Sequence, residues 1–148
     1  LAISLLFQTR QPSWLYEVEQ GATAIWETWD AILPDTEPNI TSYDHYAFGC
    51  VDAWVFANVA GIRPLEPGFR RIEIRPEPDT LPLEHCRRGF QCEYGNILVS
   101  WNTQTLKVSI PCGVSAVVQW RGQEFCVGSG DYVFGEEHGK EFQNEGTR

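Results

Sequence analysis

Two short stretches of this chain carry the side chains best suited to chemistry. In Gly21-Ala22-Thr23-Ala24-Ile25-Trp26-Glu27-Thr28-Trp29-Asp30, a carboxylate is set between two indoles. If those apolar neighbours keep Glu27 partly desolvated, its pKa is tuned for general-base work. The structural alternative makes Trp26 and Trp29, three apart on one helix face, part of a core. Glu27 is then a solvated first-turn acid favoured by the helix dipole. Composition does not separate the two readings. In Tyr43-Asp44-His45-Tyr46-Ala47-Phe48-Gly49, a histidine stands among aromatics at the start of a helix. A lone His in such a place is more often a surface or satisfied core group. The aromatic flanks favour a ligand contact instead, since a sugar ring stacks on an aromatic face while a His and a carboxylate bind its hydroxyls.

The rest of the composition narrows the partners. The 148 residues carry a formal charge of −9, and residues 1–62 hold one Arg against eight carboxylates. Nucleic acid needs a basic face, so it is excluded as a partner. Ten of the nineteen aromatics, including four of six Trp, fall in the same 62 residues, as either a core or the wall of a neutral or cationic ligand site. The five cysteines at 50, 86, 92, 112 and 126 form no C-x-x-C pair and have no His at ligand spacing. No zinc site, other metal or cofactor is therefore expected. Cys86 and Cys92 could bridge in an oxidising compartment or remain buried thiols. No run approaches the roughly 20 apolar residues of a membrane span. Residues 1–7 lack a signal-peptide pattern, nothing before Leu1 could cap a helix, and no Met occurs. The chain thus reads as a piece of something longer. The compartment, bacterial cytoplasm or secreted, and the oligomeric state are left open.

The elements that must position these residues change character along the chain. Residues 1–62 read as helices punctuated by Pro12, Gly21, Pro34 and Gly61. The first runs from Leu1 to about Gln8, and the second is opened by Pro12-Ser13 and stopped by Gly21. A third, capped by Thr23, runs through Trp26 and Trp29 towards Pro34. The fourth has Ala47, Phe48, Val51, Trp54, Val55 and Val59 on one face. Residues 63–135 switch to a period of two, first in Arg71-Ile72-Glu73-Ile74-Arg75-Pro76. Strands follow at 96–101 and 106–111 around a hairpin at 102–105, then at 114–120, 124–127 and 131–134, at the spacing of an antiparallel sandwich or barrel. Residues 136–148 read as a polar tail.

Three ordered motifs carry a resemblance: Pro12-Ser13-Trp14-Leu15-Tyr16, the 21–30 string and Ser42-Tyr43-Asp44-His45-Tyr46-Ala47-Phe48-Gly49. Together they resemble the C-terminal end of the catalytic domain of α-L-rhamnosidases of glycoside hydrolase family 78. Pro67-Gly68-Phe69-Arg70-Arg71-Ile72 and Val127-Gly128-Ser129-Gly130-Asp131-Tyr132-Val133-Phe134 resemble that family's terminal domain. The implied fold class is α plus β in two parts, with the last helices of an (α/α)6 barrel in 1–62 and an antiparallel β-sandwich in 63–135. The implied activity is inverting hydrolysis of terminal α-L-rhamnosides. Carried over residue by residue, Glu27 is the general base, His45 contacts the sugar and Trp26 walls the pocket. The implied partners are L-rhamnose-containing glycosides and the rest of the parent catalytic domain, whose upstream segments hold the general acid. This chain departs from the usual pattern at Ala24, where the family has Thr, and at Asp44, where it has Asn. With half of the carboxyl pair missing, the isolated chain is expected to be inactive. Two other classes fit less of the sequence: a non-catalytic carbohydrate-binding or structural sandwich, and another (α/α)6 glycosidase or lyase.

Overall fold

The computed structural model describes residues 2–135, so the polar tail at 136–148 lies outside the described residues. Two compact units divide the chain, one ending at Asp52 and the other beginning at Ala53.

In the first unit the helices are short. Helix α1 spans Ala2–Phe7 and α2 spans Trp14–Glu19. The start of α2 is the one its sequence predicts. The Ser13 hydroxyl accepts hydrogen bonds from the Leu15 and Tyr16 N–H groups at 3.0 and 3.4 Å, satisfying donors that have no partner inside the helix. The expected third helix does not form. Residues 23–33 run as bends and turns, because their backbone groups are claimed from a distance. Trp26 N–H donates to the Glu17 carboxylate, Glu27 N–H donates to the Ser42 carbonyl, and the Ile25 carbonyl accepts from His45 N–H. An α-helix capped at Thr23 would need the Glu27 N–H and the Ile25 carbonyl for its own i to i−4 ladder.

The expected fourth helix forms as three geometries in succession, a 3-10 turn at Ala47–Cys50, α3 at Val51–Val55 and a π turn at Phe56–Ala60. The division between the units falls inside this stretch. Of its expected apolar face only Val59 is fully buried, and Val59 and Ala60 belong to the core of the second unit. Gly61 ends the stretch at φ +79°. A Cβ there would lie 2.2 Å from the Pro76 backbone nitrogen, so the site admits only glycine.

Among the described residues, the second unit is a sandwich of two four-stranded sheets. One sheet holds β1 (Ile62–Pro64), β2 (Arg71–Ile74), β6 (Ser115–Trp120) and β7 (Gln123–Val127) in the order β1-β2-β6-β7. The other holds β3 (His85–Cys92), β4 (Gly95–Asn102), β5 (Thr105–Ile110) and β8 (Gly130–Gly135) in the order β3-β4-β5-β8. All pairs are antiparallel except β2 with β6, which is parallel. Alternate residues point inward, so Ile72 and Ile74, Ala116 and Val118, Ile97, Val99 and Trp101, and Leu106, Val108 and Ile110 share one core. The expected hairpin lies between β4 and β5. There the Asn102 side-chain oxygen accepts from the N–H groups of Gln104 and Thr105 at 2.8 and 2.7 Å.

Strands β1 and β3 are additions to the expected set. In β3 the inward positions include Cys86, Arg88 and Cys92, an alternation without the apolar signature of a strand. That placement also settles the cysteine pair. Six residues apart on one extended strand, Cys86 and Cys92 are roughly 20 Å apart, far beyond disulfide reach, and both are free thiols. Burial pushes the Cys86 thiol above its usual range.

Candidate functional site

The 21–30 and 42–48 motifs meet in the first unit. Glu27 N–H donates to the Ser42 carbonyl at 2.9 Å and His45 N–H donates to the Ile25 carbonyl at 2.8 Å, so two segments far apart in sequence run side by side. Glu27 stands on this junction and is exposed. Its Oε2 accepts from Ser42 N–H at 3.0 Å and from the Thr41 hydroxyl at 3.1 Å. These two bonds, the Ser42 N–H first, hold the carboxyl below its ordinary pKa. Desolvation opposes them. Apolar neighbours therefore do not desolvate Glu27 as one reading expected. Its state is set by hydrogen bonds to the charged form.

His45 is half-buried and its ring stacks on Tyr46 at a centroid distance of 5.1 Å. Its Nδ1 accepts the Ala47 N–H at 3.2 Å, which leaves Nε2 as the protonated, donating nitrogen. Trp26 is 2% exposed and packs with Tyr16 and Ala31. Its ring meets Tyr43 edge-on at 5.9 Å, so it supports the junction from beneath and offers almost no ring face to solvent. Trp29 does not share a helix face with Trp26. It stacks on Phe48 at 4.0 Å and takes Trp14 edge-on at 5.0 Å. The indole N–H of Trp14 closes that cluster on the Phe48 carbonyl at 3.1 Å.

Three contributors were not legible as site residues. Thr41 lies just outside the 42–49 motif, and Ser42, its first residue, bonds Glu27 through its backbone. Glu17 looks no different from Glu19 two residues on, yet it alone is buried, at 2% exposure. Among the described residues, no group of three or more His, Cys, Asp or Glu could hold a metal, and no helix is long and apolar enough to cross a membrane. An open cleft of about 480 Å³, lined by residues such as Arg75, Glu77, Trp120 and Glu124, lies within the sandwich unit and contains none of the motif residues.

Residues 1–59 match the family model of the bacterial alpha-L-rhamnosidase 6 hairpin glycosidase domain, and residues 61–125 match that of the bacterial alpha-L-rhamnosidase C-terminal domain. The chain belongs to the α-L-rhamnosidase family. Its helices accordingly belong to a six-hairpin glycosidase domain and its sandwich to the C-terminal β domain of that family. It is 37% identical over 117 residues to an α-L-rhamnosidase of Streptomyces avermitilis, covering 77% of this chain and 11% of that protein. An α-L-rhamnosidase of Formosa agariphila is 34% identical over 126 residues, with 80% and 14% covered. The chain thus spans only a small part of the curated rhamnosidases it matches. Among solved structures, the native rhamnosidase of Aspergillus terreus aligns with a TM-score of 0.84 at 34% identity, over 93% of this chain and 17% of that one. The Streptomyces avermitilis rhamnosidase complexed with L-rhamnose aligns at 0.79 and 32% identity, over 87% and 15%.

Proposed function

We propose that this chain is the base-bearing part of an inverting α-L-rhamnosidase, with residues 1–62 closing the catalytic barrel and 63–135 forming its C-terminal β domain. The observation that carries the reading is the state of Glu27. Both hydrogen bonds fall on Oε2 and favour the charged form, so Oε1 is the oxygen that takes the proton of the attacking water. A general base has to be ionised before the reaction and fixed in direction during it, and this arrangement supplies both. His45 donates from Nε2 to a hydroxyl of L-rhamnose, and Trp26 braces the pocket wall through Tyr43. The general acid comes from other segments of the catalytic domain, roughly 6.5–9.5 Å from Glu27 to leave room for the water. A two-carboxyl mechanism of this kind requires no metal or cofactor.

The decisive experiment is Glu27→Gln in the whole enzyme that carries this segment, assayed on an aryl α-L-rhamnoside. Turnover is expected to fall by at least about 10²-fold while L-rhamnose is still bound. Unchanged turnover would overturn the assignment.

A further inference from the structure

We propose that Glu17 is a positioning residue for Glu27, acting through the Trp26 peptide. Glu17 lies in α2 and grips both ends of the segment that delivers the base. Its backbone carbonyl accepts the Ala22 N–H at 3.0 Å, and its side-chain Oε2 accepts the Trp26 N–H at 3.2 Å. Residues 22–26 form no helix or strand that could hold them in place. Trp26 itself is buried, so without Glu17 its N–H would have to be satisfied by rearrangement of the loop.

The cost of placing a carboxyl here argues for the role. Oε1 of Glu17 is buried and has no hydrogen-bond partner among the described residues, and no cation pairs with the group there. An unsatisfied buried polar atom costs about 1–3 kcal/mol. A leucine would fill the space beside Tyr16 and Trp26 without that cost. What leucine lacks is an acceptor for the N–H of Trp26, the residue before Glu27. Burial pushes the Glu17 carboxyl above its ordinary range while the Trp26 bond pulls it down, which is consistent with a group retained for its acceptor oxygen. Glu27 is thereby fixed from two directions: Thr41 and Ser42 on its carboxylate, and Glu17 on the N–H of the residue before it.

This inference rests on Glu27 being the base, so the test compares Glu17→Leu, Glu17→Gln and Glu27→Gln in the whole enzyme on an aryl α-L-rhamnoside. A misplaced catalytic group costs on the order of 10²-fold, and Glu17→Leu is expected to lower kcat by about 10- to 100-fold. KM, L-rhamnose affinity and melting temperature should stay near wild type. Glu17→Gln, which keeps an acceptor oxygen, should recover kcat to within about threefold of wild type. Wild-type kcat in Glu17→Leu overturns the proposal, as does a loss that tracks lost rhamnose binding or lost folding, which would mark Glu17 as a core residue only. A folded Glu17→Gln as slow as Glu17→Leu also overturns it, because the acceptor would then not be what matters. If Glu27→Gln keeps full turnover, the base assignment fails and takes this proposal with it. If Glu27→Gln is dead and Glu17→Leu is not, this proposal alone fails.

Discussion

Glu27 shows how little of a residue's chemistry resides in its sequence neighbours. Two indoles nearby suggested desolvation, yet the side chain projects to solvent and its pKa falls because Ser42 and Thr41 donate to its charged form. The sign of the pH effect follows. A carboxyl whose folded pKa lies below its unfolded value contributes its stabilisation above the unfolded pKa, and loses it as pH falls through the folded one. As a base, Glu27 therefore stays ionised at pH values where an ordinary glutamate, near 4.3, would already be taking up protons. Thr41→Val keeps the side-chain shape but removes the hydroxyl donor. In the whole enzyme it is expected to move the acid limb of the kcat–pH profile upward, and an unmoved limb would show that Thr41 does not tune the base.

At the scale of elements, the informative feature is the end of the 47–60 helical stretch. Gly61 turns the chain at positive φ and its carbonyl accepts Arg75 N–H at 2.8 Å, directly beneath the entry to the sandwich. The buried indole N–H of Trp101 reaches the Val59 carbonyl at 2.7 Å, so β4 caps the last turn. Gly61→Ala would place a methyl group into the Pro76 and Arg75 backbone as well as force a left-handed alanine. It is expected to destabilise the chain by about 2 kcal/mol or more, read as a lower urea midpoint. A change within about 0.5 kcal/mol would mean that the backbone shifts freely there. Elsewhere the elements were legible in proportion to how cleanly their apolar residues repeat. Strands β2, β4, β5 and β6 alternate a buried apolar residue with a polar or exposed one, and their positions followed from the sequence. Strand β3 was hidden because charged residues, a glycine and two cysteines occupy most of its positions.

At the scale of the whole molecule, the two units carry different burdens. The sandwich has its own core of both sheets, whereas among the described residues the buried apolar cluster of the helical unit consists of Tyr16, Trp26 and Ala31. A cluster that small does not build a closed sugar site, and an inverting glycosidase needs a second carboxyl across the substrate. The 148-residue chain alone is therefore expected to release no nitrophenol from an aryl α-L-rhamnoside, and detectable release would refute the division of labour proposed above. The sequence by itself determined the two-part organisation, the Ser13 cap, the alternating strands and the motifs that point to Glu27 and His45, because each depends on residues close together in the chain. Tertiary structure alone decided that residues 23–33 abandon the helix, that Trp26 is buried, that Glu17 rather than Glu19 faces inward, and that Cys86 and Cys92 stay apart. Each of these depends on a backbone donor, an acceptor or a packing partner supplied from elsewhere in the fold, and neighbouring residues cannot specify which distant group will supply it.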